Sequence, residues 1–402
     1  RLAISIIFAI NGFIYANWTS RLPRLQEIYS IDKQQLGFML LAISIGALVA
    51  MPLTGYFIVK TGSRRLTATT LLFFVLTTPL LAYVPNYLAF TAIGILIGMA
   101  TGALDIAMNA QAILVEEGMK KPIMSSFHAI FSMGMLLGAG TASLFIWLGA
   151  DVHIHFPVVC LIAFVFALWS VQQLIPDQET ATKAVAGEVE KKGFQFHPTI
   201  MVLGLAAFCC MMGEGAMADW TPIYMITVAG SPELWAPLGQ AAFSGSMMLG
   251  RFAGDSARAT YGSRSLIRGG GILALTGLSI ALFFPTPILA FIGFLLVGLG
   301  LSNIVPIAYS ISGSIPGIPT GVGISSVTTI GYSGFLFGPP IIGFLSERYD
   351  QLVAQGIQPW TPLPFSWQGL QWGLGFIWIL FVLLVVIGFF FLNNEEKSNG
   401  PS

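Results

Sequence analysis

Charge is what this chain has least of: Asp, Glu, Lys and Arg make up 9% of its 402 residues, where soluble globular proteins carry about a quarter. So few charges exclude a water-facing surface over most of the chain. With 18 basic residues against 18 acidic ones, there is also no positive excess to attract nucleic acid. Cysteine is scarce too. Cys160, Cys209 and Cys210 all fall inside apolar runs, which fits small packing residues and excludes a disulfide framework or a cysteine metal site. Among four histidines no nucleophile and base pair and no metal-ligand spacing stands out, so an enzyme is not expected, nor a cofactor. No G-x-x-x-x-G-K-[ST] loop is present to cradle nucleotide phosphates, which leaves ATP-driven pumping without machinery.

What is abundant is oil, 55% of the residues. Runs of 18 or more mainly apolar residues predict membrane-crossing helices, and twelve are found, at roughly 2–26, 35–58, 66–84, 88–114, 123–148, 157–175, 198–227, 236–258, 266–284, 288–311, 321–346 and 367–392. A membrane β-barrel would need alternating segments of about ten residues, and "LLFFVLTTPLLA" does not alternate. The first run carries "NWTSRLPRL" where a signal peptide would have a small-residue cleavage site, so it is expected to stay in the mature protein. Fourteen of the 18 Lys and Arg fall on one side of this map, leaving Arg21, Arg24, Lys33 and Arg348 for the other. By the positive-inside rule both termini are expected in the cytoplasm.

A shift of 200 residues lays "GSRRL" (62 to 66) over "GSRSL" (262 to 266) and "SSFHAIFSMGMLLG" (125 to 138) over "SSVTTIGYSGFLFG" (325 to 338). Duplication explains both with one offset. Because both basic loops lie on the same side, the two halves must be parallel, related by an axis along the membrane normal. The expected fold is an all-α integral membrane protein, twelve transmembrane helices arranged as two parallel six-helix repeats around a central cavity. Residues 1–175 form the first bundle, 176–197 a cytoplasmic linker, 198–392 the second bundle and 393–402 a cytoplasmic tail.

Twelve spans in two parallel halves, with Gly55, Lys60, Gly62, Arg64 and Arg65 in a G-x-x-x-x-K-x-G-S-R-R loop after the second span, resemble the major facilitator superfamily over essentially the whole chain. "NWTSRLP" in the first span and "GEGAMADW" in the seventh are similar to its MosC/YbjJ-like bacterial inner-membrane branch. The resemblance implies a multi-pass secondary transporter of the inner membrane that works by alternating access. The superfamily loop usually has an Asp before its first basic residue; Val59 stands there in this chain, so the loop's charge relay is incomplete.

Polar residues separate the spans into two kinds. Spans three, six and twelve have no charged residue in their interiors. Spans one, four, seven and ten hold Asn11, Asn17 and Arg21, then Asp105, Asn109 and Gln111, then Glu214 and Asp219, then Asn303. A carboxylate at the bilayer centre costs about 2.5 to 3.5 kcal/mol on insertion scales, so these four spans should line a cavity. Asp105 and Glu214, one in each half, are the candidate proton carriers, since a carboxylate that is alternately wet and dry links proton binding to conformation. His128 is placed to pair with Asp105. Either acid could instead hold helices together by a hydrogen bond.

Arg21 and Asp219 are expected to meet across the halves on the external side, although Arg21 could snorkel to headgroups or pair with Glu27. Arg251 and Asp255 are one helical turn apart and read as an i,i+4 gating pair. Arg64 is expected to touch the opposite half when the cytoplasmic side is shut. Trp18 and Trp220 could be stacking platforms or interface anchors. Pro339 and Pro340 remove two backbone donors inside "GFLFGPPIIG" and predict a bend or a sliding contact.

With Arg21 the sole cavity cation in this reading, phosphorylated sugars and dicarboxylates are poorly served. Asn11, Asn17, Asn109, Asn303, Tyr309 and Tyr332 suit a sugar-like solute, a polyol or an amino-cyclitol, moved with protons by a monomer in membrane lipid. Efflux of organic cations by proton antiport is the alternative. A non-transporting membrane sensor is a further one, from a different class.

Overall fold

The computed structural model describes residues 1–120, 123–176, 197–316, 318, 320–357 and 367–391. The expected linker at 176–197 and the tail at 393–402 lie almost wholly outside them. The described residues form helices and turns with no strand. In chain order they are α1 (Leu2–Thr19), α2 (Leu22–Tyr29), α3 (Lys33–Thr61), α4 (Ser63–Thr77), α5 (Tyr87–Met119), α6 (Met124–Trp147), α7 (Val152–Gln172), α8 (Pro198–Thr227), α9 (Ala236–Phe283), α10 (Pro287–Leu301), α11 (Ile304–Ser312), α12 (Thr320–Ala354) and α13 (Gly369–Val386). Eleven helical stretches among them are long and apolar enough to cross a membrane, one of them spanning Glu233–Phe283.

That long stretch is two spans joined at Gly262, whose φ of 78° and ψ of 158° break the helical path. Gly62, 200 residues earlier, has φ 84° and ψ 154° between α3 and α4. Only glycine occupies this region readily. The two basic loops therefore share one backbone device: a reversal at glycine, then Ser-Arg opening the next helix.

Proline sets other boundaries. The first span ends at Thr19 and not near 26, because Pro23 lacks an N–H and its ring opposes the carbonyl of Thr19; the chain turns at Arg21, and Pro23 opens α2. The sixth span starts at Val152 and not at 157, capped by the Asp151 side chain. Pro157 then sits inside α7 and frees the carbonyl of His153, which accepts a hydrogen bond from the Tyr83 hydroxyl at 2.6 Å. The tenth span, expected unbroken over 288–311, stops at Leu301 and restarts at Ile304. Pro306 removes the donor that would have continued the ladder.

Two helix pairs carry most of the packing between residues before 176 and residues after 197. Helix α6 packs on α9, and α3 packs on α12. The second pair is closest near the α3 N-terminus, where a Cβ added at Gly343 would stand 2.4 Å from the Lys33 carbonyl. Lys33 also pairs with Asp350, and its backbone N–H donates to Glu347. Pro339, inside α12, frees the Phe335 carbonyl, and the Ser44 hydroxyl of α3 donates to it at 3.1 Å. On the same face Arg24 grips Asp151 with two bonds of 3.1 Å and Glu27 with one of 2.9 Å. Those bonds hold the Asp151 carboxyl well below the usual carboxylate range.

Gly262→Ala tests the glycine reversal. Nothing lies within 4 Å of a Cβ there, so its cost is backbone strain alone, about 1–3 kcal/mol. Thermal unfolding in detergent should show that loss, while Gly140→Ala, in open space inside α6, should be neutral or mildly stabilising. The Arg24–Asp151 grip should give a pH signature. Its folded pKa is depressed, so its stabilisation is present above the unfolded value, about 3.9, and is lost as pH falls further. Asp151 is 39% exposed, which limits the pair to about 1 kcal/mol or less. The unfolding temperature of wild type minus that of Asp151→Asn should stay constant from about pH 7 to about pH 5 and shrink below about pH 4.

Candidate functional site

A cavity of about 530 Å³ runs between the two groups of helices and is lined by α1, α3, α5 and α6 on one side and α8, α9, α11 and α12 on the other. Its deep end is at Trp18 and Asp219, and its mouth is at Met124, Asp255 and Arg258, on the face that carries the Gly62 and Gly262 reversals. Contacts across the halves close the deep end. Gln240 is fully buried, donates to the Thr19 hydroxyl at 2.7 Å and accepts from the Ser20 hydroxyl at 2.7 Å.

Two tyrosine and aspartate pairs cross the cavity in opposite senses. Tyr15 of α1 donates to Asp219 of α8 at 2.7 Å. Tyr332 of α12 donates to Asp105 of α5 at 2.9 Å. Asp105 also accepts from Asn109 at 3.1 Å, as their four-residue spacing on one helix face allows. In hydrocarbon these hydroxyls take over part of the solvation that water would supply.

The third carboxylate, Glu214, is met by Arg251 of α9 at 3.5 Å and by the thiol of Cys210 at 3.6 Å. The same guanidinium reaches over to α6, donating to the Ser132 hydroxyl at 2.8 Å and the His128 carbonyl at 3.4 Å. Arg251 is thus both the counter-ion of Glu214 and a bridge between the two halves. Ser132 and Tyr332, 200 residues apart, each hold a charged group of the opposite half.

The structure brings together most of the residues singled out in the sequence. Asn11, Trp18, Asp105, His128, Glu214, Asp219, Arg251, Asp255, Asn303, Tyr309 and Tyr332 line the cavity, and Asn109 supports it through Asp105. Asn303 donates to the Gly250 carbonyl at 2.9 Å, fastening the broken tenth span to α9.

Several expectations are corrected. Asn17 faces away from the cavity and meets the imidazole of His155 at 2.8 Å, because α7 offers it a buried partner. Trp220 is fully buried outside the cavity lining, so it is no stacking platform in this arrangement. Arg21 does not approach Asp219, which is taken by Tyr15. Its guanidinium donates instead to the Ala150 carbonyl at 3.3 Å and lies 4.0 Å from Asp151, since the turn at Arg21 swings it toward the α6–α7 connection. Arg251 pairs with Glu214 and not with Asp255: Glu214 is half-buried and Asp255 exposed, and a charge attracts more strongly where water screens it less. His128 does not pair with Asp105; its ring lies edge-on to Phe8 at 5.5 Å. Arg64 donates to the Gln172 carbonyl at 3.2 Å in this arrangement; its expected contact with the opposite half belongs to a state with the cytoplasmic side shut.

Tyr15, Ser132 and Gln240 complete the site, and their sequence signal is faint. Gln240 is an amide inside an apolar span and could be found that way. Tyr15 and Ser132 look like ordinary residues of mixed spans.

The model of the Major Facilitator Superfamily matches residues 4–339. An uncharacterized MFS-type transporter of Yersinia pestis is 33% identical over 359 residues, covering 89% of this chain and 91% of that one. Membrane protein MosC of Rhizobium meliloti is 35% identical over 348 residues, 86% of this chain and 83% of its own. Among solved structures, the nucleoside transporter NupG superposes with a TM-score of 0.68 at 12% identity, covering 96% of this chain and 97% of that one. An inward-facing, occupied bacterial homologue of the lysosomal transporter Spinster gives 0.70 at 16% identity, covering 96% and 95%. At such identities these structures speak for the fold alone. The apolar helices, the cavity between them and these matches together make this chain a multi-pass membrane transporter, not an enzyme, that belongs to the Major Facilitator Superfamily.

Proposed function

We propose that the protein is a secondary active carrier of the bacterial inner membrane that moves a small polar solute by alternating access, coupled to protons. Its two parallel six-helix repeats, 1–175 and 198–392, move about a central cavity, with the Gly62 and Gly262 reversals in the cytoplasm and the solute held between the repeats. The observation that carries this reading is the difference between the two ends of the cavity, beyond the ties that cross it at Asp105 and Arg251. Gln240 with Thr19 and Ser20, Tyr15 with Asp219, and Lys33 with Asp350 seal one end, while the cavity mouth lies between Met124 and Arg258 at the other. Given the positive-inside orientation, this is a carrier open to the cytoplasm.

Proton coupling follows from the carboxylates. Asp105 and Glu214 are half-buried inside apolar spans and each is tied to the opposite half, Asp105 through Tyr332 and Glu214 through Arg251 and Ser132. Protonating either acid weakens its tie and so biases the balance between the two open states. His128 contributes through its carbonyl, which accepts from Arg251. The solute class is sugar-like, a polyol or an amino-cyclitol, seated among Asn11, Trp18, Asn303, Tyr309 and Tyr332, with Asn109 behind Asp105. Efflux of organic cations by antiport is the second reading, favoured by Asp105 and Asp219, whose hydrogen-bond partners are all neutral.

The test is internal pH in proteoliposomes carrying the purified protein, challenged with sugars, cyclitols and organic cations. Wild type should show a solute-dependent proton flux, inward for uptake by symport, that falls to the protein-free background in Asp105→Asn and Glu214→Gln. Solute flux that persists in both variants would remove these acids from coupling.

A further inference from the structure

The contacts that close the deep end differ in kind. Lys33 and Asp350 form an ion pair in which the acid is 37% exposed, and Tyr15 meets a carboxylate. The contact at Gln240 carries no charge, and its three side chains are shut away from solvent, Gln240 and Thr19 at 0% exposed and Ser20 at 2%.

Its hydrogen bonds run in one direction. The Thr19 hydroxyl gives its single proton to the Tyr15 carbonyl at 3.0 Å, so toward Gln240 it can only accept. That commitment fixes the amide, with Nε2 toward Thr19 at 2.7 Å and Oε1 toward the Ser20 hydroxyl at 2.7 Å. A position that must donate to one hydroxyl and accept from its neighbour suits an amide, and an apolar side chain of the same size serves neither.

The end of α1 that carries Thr19 and Ser20 is also fastened to its own half. Asn17 meets His155 of α7 at 2.8 Å, and Arg21 donates to the Ala150 carbonyl at 3.3 Å. Freeing Gln240 by fraying α1 would break those bonds as well. The contact is therefore given up by parting of the halves, and its strength is felt by the halves as bodies.

We propose that Gln240 is the latch that sets the resting state of the carrier, holding the deep end shut through bonds that neither pH nor salt alters. This rests on the alternating-access reading and deepens it. Gln240 supplies the fixed bias against which protonation of Asp105 and Glu214 works. Parting exchanges two neutral hydrogen bonds for bonds to water, a small net cost, so the bias remains one that solute and protons can reverse.

The experiment reads the two ends at once, by pulsed electron resonance between spin labels on the purified full chain. Labels at the exposed Leu148 and Gln355 report the closed end, and labels at the exposed Thr61 and Tyr261 report the mouth; the three native cysteines are buried. Gln240→Leu should raise the ratio of parted to closed molecules at the first pair by about tenfold, the scale of two neutral hydrogen bonds. The second pair should shift toward shorter distances. Ser20→Ala, a smaller change, should move both pairs the same way by less. In a chain that already carries Thr19→Val and Ser20→Ala, Gln240→Leu should add less than about twofold, because its partners are gone.

Unchanged distances in Gln240→Leu, widening at both ends, which marks a loosened fold, or a full tenfold effect in the chain lacking both hydroxyls would overturn the proposal. Solute flux in proteoliposomes tests the carrier separately. Opposed shifts at the two ends without flux of any solute would sink the carrier and spare the latch, whereas flux with wild-type distances in Gln240→Leu would do the reverse.

Discussion

Hydrocarbon supplies no hydrogen bonds, so every polar group in the bilayer must be satisfied by the protein or by water in a cavity. Most features of this chain follow from that demand. It makes the helices regular where they face lipid, and it confines irregular backbone to places where another side chain can reach. The carbonyl freed by Pro157 is taken by Tyr83, the one freed by Pro339 is taken by Ser44, and the break before Ile304 is bridged by Asn303 to Gly250. The three deep acids are treated in the same way, each given donors that cross from one group of helices to the other or lie beside it.

Where the donor sits on the opposite half, as Tyr15 and Tyr332 do, satisfaction of the acid depends on how the helices are placed. Tyr15 can serve Asp219 only while α1 and α8 are close, and Tyr332 can serve Asp105 only while α12 and α5 are. Arg251 goes furthest in this respect, since one guanidinium answers to Glu214 on its own side and to Ser132 and the His128 carbonyl across the cavity. A shared cation of this kind divides its attraction between two helices, and any change in the acid's charge is felt at the second contact.

How much of this was legible in the sequence depends on the distance over which each feature is decided. Apolar runs are local, so the spans could be read directly, and most of the polar residues inside spans one, four, seven and ten do line the cavity. The breaks were half legible: apolar runs masked Pro23 and Pro306 in placing span ends, while the span placed to begin at Pro157 begins earlier, at Val152, with the proline inside it. Partner choice was not legible. Arg251 lies four residues from Asp255 and thirty-seven from Glu214, and nothing in one dimension says that the less exposed acid wins. Asn17 was equally opaque, because its partner His155 approaches from another helix. Tyr15 and Ser132 went unseen since a tyrosine or serine in a mixed span has no marked pattern until the opposite half is beside it.

The Ser44 and Phe335 contact carries one more consequence. A carbonyl freed by proline has lost its helical donor permanently, so it is content only with Ser44 or with water. In the proposed alternating-access cycle, parting of α3 and α12 would exchange the hydroxyl on the Phe335 oxygen for a hydration shell, and parting into a dry gap would leave it bare. Wetting of the seam and parting of the helices would then be one event, with water acting as a ligand of the parted form. Osmotic pressure, by drawing water out of that seam, becomes a quantity that this interface can feel.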